Sequence, residues 1–257
     1  MNVIRFYVPG SYENYNHILL CPDTRQALIV DPFDATLATR WLSELDATLV
    51  GILITHEHGD HIRGLSDLLA VHNVPVWGHK DIPGVSNPIA DGDPIALGNH
   101  QLTALFTPGH TFQHFCFLGQ SAQSGPFLIC ADTLFNGGVG NCRSGDVGQL
   151  YNSICRLHTL LSDDTAIYPA HDYLCHNLGF AALLEPDNQR ISDVLADNAS
   201  VLPEQRAITH WGLEKEINPF LRLDSSTLKR ELNKKTAASL DTPADVFRAL
   251  RHLRDQW

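Results

Sequence analysis

Residues Leu49–Ile54 read Leu-Val-Gly-Ile-Leu-Ile, an unbroken apolar run that leads almost directly into His56-Glu57-His58-Gly59-Asp60-His61. Such a run marks a strand buried on both faces, and strands of that kind belong to sheets covered on both sides. The potential ligands His56, His58, Asp60 and His61 then follow at the strand's C-terminal end. On extended chain, His56 and His58 share one face, because side chains alternate with a period of two. In a tight loop opening the next helix, Asp60 and His61 turn toward a second point. The segment therefore suits two adjacent metal ions better than one. The helical His-Glu-x-x-His pattern fails here, since position 60 is Asp. The ordinary alternative is a polar loop whose imidazoles lie close by chance. That reading is weak for the set, because ionisable rings packed together beside an apolar strand serve no packing purpose.

The remaining pattern predicts an α/β chain. Strands are expected at Val3–Val8, His17–Leu20, Ala27–Val30, Val74–Trp77, Leu102–Phe106, Phe115–Leu118, Phe127–Cys130 and Ala166–Tyr168. Helical spacing covers Asp34–Leu45, with Asp34 as the N-cap, Arg63–His72 and Val147–Leu161. After about Tyr173 the texture turns helical, over Leu178–Leu184, Gln189–Asn198, Ser225–Leu232 and Pro243–Leu253. This predicts a first unit over 1–172 and a C-terminal helical region over 173–257.

Three more ligand types sit just after predicted strands: His110 in Thr107-Pro108-Gly109-His110-Thr111, Asp132 in Ala131-Asp132-Thr133, and His171 in Pro169-Ala170-His171-Asp172. Loops at such strand ends converge on ligand sites in α/β proteins. Any one of them alone reads as a turn residue; the set does not. Gly137-Gly138-Val139-Gly140 lacks the Lys-Ser/Thr or third Gly of a nucleotide loop and reads as a loop beside the metals. Cys142 has no His-Asp partner outside the metal set and reads as a loop thiol.

The ordered set His56-x-His58-x-Asp60-His61, His110, Asp132, His171 resembles the metallo-β-lactamase superfamily. Within it, the chain is similar to the glyoxalase II (hydroxyacylglutathione hydrolase) family. That likeness rests on Asn14-Tyr15, Ile29-Val30-Asp31-Pro32, Gly109-His110-Thr111, Asp132-Thr133-Leu134-Phe135, His171-Asp172-Tyr173 and the ending Phe247–Trp257. The resemblance implies an αβ/βα four-layer sandwich with a C-terminal helical subdomain. It implies one metal on His56, His58 and His110, a second on Asp60, His61 and His171, and Asp132 bridging both. Two divalent ions are expected, zinc first, with iron or manganese also suited to a mixed N/O set. The implied reaction is hydrolysis of S-(2-hydroxyacyl)glutathione, as S-D-lactoylglutathione, by attack of a metal-bound hydroxide, with Asp60 and Asp132 at the catalytic centre. Basic residues of the last segment are implied to grip the glutathione moiety, which assigns Arg251 and Arg254 to substrate binding. Tyr173 joins them as a hydrogen-bonding group. The family's usual cation in the loop after the bridging Asp falls here on Asn141, and Arg143 is the candidate substitute.

Composition narrows the alternatives. Eighteen Lys and Arg against 29 Asp and Glu give a formal charge of −11. That speaks against a nucleic-acid binder, including a nuclease of the same superfamily. No apolar stretch reaches the roughly 18 residues of a spanning helix, so no membrane partner is expected. The start, Met1–Tyr7, has neither the basic nor the apolar region of a signal peptide, which speaks against a secreted β-lactamase and for a cytoplasmic protein. Six scattered cysteines without a Cys-x-x-Cys pair fit reduced thiols. The other readings are a different hydrolase of the superfamily, a mono-iron persulfide dioxygenase that leaves Asp60 and His61 without a metal, and a non-catalytic binding protein. A monomer or weak homo-oligomer is expected.

Overall fold

The computed structural model describes residues 1–10 and 12–257. An antiparallel meander opens the chain: β1 (Asn2–Val8), β2 (Asn14–Leu20) and β3 (Gln26–Val30). The Asp34 carboxylate accepts from the Leu37 N–H and caps α1 (Ala35–Glu44). β4 (Thr48–Leu53) then joins β3 in parallel. After α2 (Gly59–Ile62) and α3 (Leu65–Val71), the parallel strands β5 (Val76–Gly78) and β6 (Asn87–Pro88) complete a sheet of order β1-β2-β3-β4-β5-β6.

The second sheet grows from β7 (Pro94–Leu97), β8 (His100–Phe106), β9 (Phe115–Ser121) and β10 (Gly125–Ala131), each antiparallel to the one before it. A hairpin of β11 (Leu134–Phe135) and β12 (Gly138–Val139) follows β10. α4 (Val147–Leu160) crosses over to β13 (Ala166–Pro169), which lies parallel to β10. The rest is α5 (Leu174–Leu184), α6 (Gln189–Asn198), β14 (Thr209–His210), α7 (Trp211–Ile217), α8 (Ser226–Lys235) and α9 (Pro243–Gln256). β14 adds to β13, giving the order β14-β13-β10-β9-β8-β7.

Strand alternation stacks these elements into four layers. Leu28 and Val30 of β3 enter a core shared with Phe117, Phe127 and Ile129 of the second sheet, while Ala27 and Ile29 face Ala38, Leu42, Leu65 and Leu68 of α1 and α3. In β10, Phe127 and Ile129 point between the sheets, and Leu128 and Cys130 point the other way. That outer face packs on Leu150, Ile154 and Leu157 of α4 and on Val246, Phe247 and Leu250 of α9. Phe117 and Phe127 are fully buried, and burying a side chain of that size contributes about 1.5–3 kcal/mol. The metallo-β-lactamase-type αβ/βα sandwich is therefore present. No helix among the described residues is long and apolar enough to cross a membrane.

Some expected boundaries move. The helix expected over Arg63–His72 spans Leu65–Val71, and the ligand segment before it forms the separate turn α2. The strand expected at His17–Leu20 begins at Asn14, and the helix expected at Leu178–Leu184 begins at Leu174. β6, β7, β11, β12, β14 and α7 were not expected. Most of these are too short to show a period, and Pro94 at the start of β7 masks an edge strand.

Candidate metal centre

All seven predicted ligand side chains meet at one end of the sandwich, each delivered by a loop that leaves a strand. β4 delivers His56, His58, Asp60 and His61, β8 His110, β10 Asp132 and β13 His171. Two non-glycine residues hold left-handed φ at these strand ends: Asp31 (48°) after β3 and Ala131 (42°) just before Asp132. Such backbone is strained and persists where surrounding contacts enforce it.

The donor atoms form two half-sites. In the first, His58 Nδ1 lies 3.0 Å from both His56 Nε2 and His110 Nε2. In the second, Asp60 Oδ2 lies 3.6 Å from His61 Nε2 and 3.5 Å from His171 Nε2. Asp132 stands between them. Its Oδ2 is 3.4 Å from His110 Nε2, and its Oδ1 is 3.4 Å from His61 Nε2 and 3.3 Å from His171 Nε2. Four donors about 2.0–2.1 Å from a tetrahedral ion lie about 3.3–3.4 Å apart, so the second half-site already has that spacing.

The outer partners fix which nitrogen faces inward. His110 Nδ1 meets the Asn141 carbonyl at 2.7 Å, and His171 Nδ1 meets the Tyr12 carbonyl at 2.7 Å. A carbonyl only accepts, so both Nδ1 atoms carry hydrogen and both Nε2 atoms present lone pairs in the neutral rings. His61 Nδ1 lies 2.8 Å from Asp31 Oδ2, and His56 Nδ1 lies 3.0 Å from the Thr55 hydroxyl. His58 is reversed: its Nε2 meets Ser144 Oγ at 2.8 Å and its Nδ1 turns inward. Lone pairs and carboxylate oxygens directed at one another repel unless a cation sits among them. Consistent with that, His61 Nε2 and Asp132 Oδ1 are buried with no hydrogen-bond partner among the described residues. The residues fit a divalent metal centre, with each histidine oriented by an outer partner as such centres require.

Titration agrees with that donor set. Burial would raise Asp132, but His171, His61 and His110 hold its carboxyl well below the usual carboxylate range. Burial, helped by His61 and His114, drives His56 well below 6.5, and burial also lowers His110. Burial would lower His61 as well, yet Asp132, Asp31 and Asp60 outweigh it and raise it to about 9. The carboxylates around His61 thus favour positive charge in that half-site, while His56 and His110 are held as neutral donors.

Beside the centre is a cavity of about 260 Å³ lined by Phe135, Asn141, Arg143, Tyr173, Arg251 and Arg254, among others. All four predicted substrate-binding residues line it, in different states. Arg143 is exposed and makes no ion pair among the described residues. Tyr173 stacks on His171 with ring centroids 5.0 Å apart, and burial raises its hydroxyl pKa. Arg254 is half-buried, with Nη2 donating to Asn177 Oδ1 at 3.2 Å and the guanidinium over the Trp257 ring. Arg251 is 6% exposed and turned into the protein. Cys142 is a thiol at neutral pH, since burial pushes it up to about 12.

Sequence reasoning missed Asp31, Thr55, Ser144 and His114. Asp31 accepts from the Thr55 N–H at 2.8 Å and from its hydroxyl at 2.6 Å besides meeting His61, so it orients rather than ligates. His114 is fully buried, stacks on His56 at 4.9 Å and touches the hydroxyls of Thr107 and Thr133. The one sequence signal for any of these was Asp31-Pro32 at a strand end.

Residues 13–171 match the family model described as the metallo-beta-lactamase superfamily, and residues 172–257 match that of the hydroxyacylglutathione hydrolase C-terminus. Over the full length of both chains, the sequence is 37% identical to a hydroxyacylglutathione hydrolase of Nitrosococcus oceani and 38% identical to one of Polaromonas sp.. The chain belongs to the hydroxyacylglutathione hydrolase family. Among solved structures, ETHE1 from Myxococcus xanthus shares the fold with a TM-score of 0.68 at 23% identity, covering 99% of this chain and 98% of that one. The BLEG-1 B3 metallo-beta-lactamase has a TM-score of 0.64 at 21% identity, covering 86% and 100%. Family membership makes this a hydrolase whose clustered histidines and aspartates form a divalent-metal site.

Proposed function

We propose that the protein is a thioesterase that hydrolyses S-(2-hydroxyacyl)glutathione, in the first instance S-D-lactoylglutathione, to glutathione and a 2-hydroxy acid at a centre of two divalent ions. Zinc is the first candidate for both ions. One observation carries the two-ion reading: the two oxygens of Asp132 face different half-sites, Oδ2 toward His110 and Oδ1 toward His61 and His171. In this reading His56, His58 and His110 hold one ion, Asp60, His61 and His171 hold the other, and Asp132 spans both. When bound, the pair supplies an acidified water as nucleophile at neutral pH, with a pKa of about 7 at a favourable zinc site, and polarises the thioester carbonyl.

The chain's own groups do the rest. Tyr12, Asn141 and Asp31 hold the ring orientations of His171, His110 and His61. The cavity beside the centre takes the tripeptide, with Arg143, Arg251 and Arg254 as cations for its two carboxylates and the Tyr173 hydroxyl as a hydrogen-bonding group. These arginines reverse locally the field of a chain whose formal charge is −11. A thiolate leaves without much general-acid help. The proposed division of labour gives residues 1–172 the metal side chains and 173–257 most of the substrate contacts.

Elemental analysis of the purified protein, run with S-D-lactoylglutathione hydrolysis, tests this reading. Two divalent ions per chain are expected, with hydrolysis abolished by a chelator and restored by zinc. One ion per chain at full activity removes the two-ion centre, and a fully loaded protein that leaves the thioester intact removes the substrate.

A further inference from the structure

At the end of the sandwich opposite the metal centre, two turns bring a thiol, a carboxylate and an imidazole together. β2 begins at Asn14, which bridges to His171 beside the centre, and ends at Leu20. Extended chain from Asn14 to Cys21 spans roughly 20 Å. β8 likewise begins at His100 and runs toward His110. Cys21 and Asp23 therefore lie in the β2–β3 turn of the first sheet, and His100 at the β7–β8 turn of the second, far from the seven ligands.

Ligand atoms of Cys21, Asp23 and His100 all lie within 4.8 Å of one another. A tetrahedral ion with bonds of about 2.0–2.3 Å spaces its donors about 3.3–3.6 Å apart, so the three need to close by no more than about 1.5 Å. Asp23 is exposed, which leaves its carboxylate room for that movement. The turns themselves are already pressed together. A Cβ at Gly98, which holds a left-handed φ of 57°, would lie 2.5 Å from both Cys21 Sγ and Thr24 Oγ1. The Gly98 N–H donates to Gln26 Oε1 at 3.1 Å. Asn99 connects two of the three donors: its Nδ2 donates to Asp23 Oδ2 at 2.7 Å, and the Cys21 thiol donates to its Oδ1 at 3.1 Å.

An ordinary pair of hydrogen-bonded turns leaves two features unexplained. On His100, Nδ1 meets the Met1 amine at 3.3 Å, but Nε2 is buried with no hydrogen-bond partner among the described residues. Such an orphaned nitrogen is uncommon in a folded protein. Cys21 is fully buried, and burial would raise its pKa, yet hydrogen bonds from Thr24, Asn99 and Asp23 hold it below the usual 9.0. Easier ionisation of a thiol suits a metal ligand.

We propose that Cys21, Asp23 and His100 form a further metal site, of zinc class, that fastens the β2–β3 turn of one sheet to the β7–β8 turn of the other. One thiolate, one imidazole and one carboxylate suit Zn²⁺ and not Mg²⁺ or Ca²⁺, which take oxygen ligands. With three protein donors, one of them exposed, this site is weaker than the centre. Its ion leaves on desalting, while those of the centre stay. Binding displaces the thiol proton, so affinity rises with pH. The site contributes cross-sheet stability rather than chemistry, and it does not rest on the identity of the thioester.

The test adds cobalt(II) to desalted protein whose centre is loaded with zinc. A thiolate bound to cobalt(II) gives an intense near-ultraviolet charge-transfer band; the imidazole and carboxylate ligands of the centre do not. The band should reach a plateau at one cobalt per chain and be absent in Cys21→Ser. His100→Gln and Asp23→Asn should each weaken cobalt binding more than about tenfold, since even an outer partner of a ligand is worth about 10- to 100-fold. Asp132→Asn, at the other end of the molecule, should keep the band. Zinc at about 100 times its dissociation constant for this site should raise Tm of the wild type by about 5–10 °C and leave Cys21→Ser unmoved. Hydrolysis of S-D-lactoylglutathione should be the same in Cys21→Ser and wild type. A wild type without the band, or a band that survives in Cys21→Ser, overturns the proposal. So does a band lost in Asp132→Asn, which would place the thiolate at the centre. If Cys21→Ser does not fold, unchanged cobalt binding in both His100→Gln and Asp23→Asn overturns it instead. A wild type that shows the band but leaves S-D-lactoylglutathione intact refutes the substrate and not this site.

Discussion

Replacing Asp132 by Asn keeps its shape and removes the charge that faces both half-sites. Hydrolysis should fall on the order of a hundredfold or more while the circular-dichroism spectrum stays that of the wild type. A variant with most of its activity left would mean that the carboxylate is not shared. Asp60 differs, because its Oδ2 faces only His61 and His171. Asp60→Ala should therefore lose one ion and keep the one on His56, His58 and His110; two retained ions per chain would take Asp60 out of the set. The seven side chains that the structure gathers were legible because imidazole and carboxylate at strand ends are chemically distinctive. The groups that orient them were not. Two are the backbone carbonyls of Tyr12 and Asn141, which every residue type possesses. Arg251 carries a contact of the same kind: it lines the cavity, and the packing of α9 also brings its Nη1 to the Val139 and Gly140 carbonyls, which its charge alone does not announce.

At the level of elements, the sequence spoke most clearly where one face or both faces of a segment had to be apolar. β4 announced itself through Leu49–Ile54, and α1 through Leu37, Trp41 and Leu45 behind the Asp34 cap. Two-residue strands such as β11 and β12 carry no period, and they exist because tertiary contacts pair them. α2 was hidden for a different reason: its four residues are the ligand segment itself, and their chemistry gives no helical pattern. The cap on α1 offers a test of the element's own contribution. Asp34→Ala leaves the Leu37 N–H without its 2.8 Å partner and should destabilise the protein by about 1 kcal/mol. In a chain of this size that is a fall of about 2–4 °C in Tm. Metal content should not change, since Asp34 touches none of the ligands. An unchanged Tm would mean that packing of Ala38 and Leu42 alone holds α1 in place.

The four-layer arrangement was implied by family resemblance rather than by any local pattern, because which sheet face meets which is decided between segments far apart in the chain. His17 lies at that level of organisation. It sits on β2 in the first sheet, 3% exposed, with its ring edge against Tyr168 of the second sheet and its Nε2 without a partner among the described residues. Burial, reinforced by the positive charge of Arg5, lowers its pKa from 6.5 to about 3. The folded protein therefore holds His17 neutral while the unfolded chain takes up a proton near pH 6.5. Between those two values the unfolded state binds more protons, so stability falls as pH falls through 6.5 toward 3. The loss between pH 7 and pH 5 should be about 2 kcal/mol from this residue alone. His17→Leu keeps the volume close and removes the titration. Urea midpoints at pH 7, 6 and 5, taken for both proteins with a chelator present, separate this effect from protonation of the metal ligands, which the two proteins share. The wild type should lose stability faster than the variant on acidification, by that same margin at pH 5. Parallel curves would show that His17 takes up its proton in the folded state, and that the two sheets admit a charge between them.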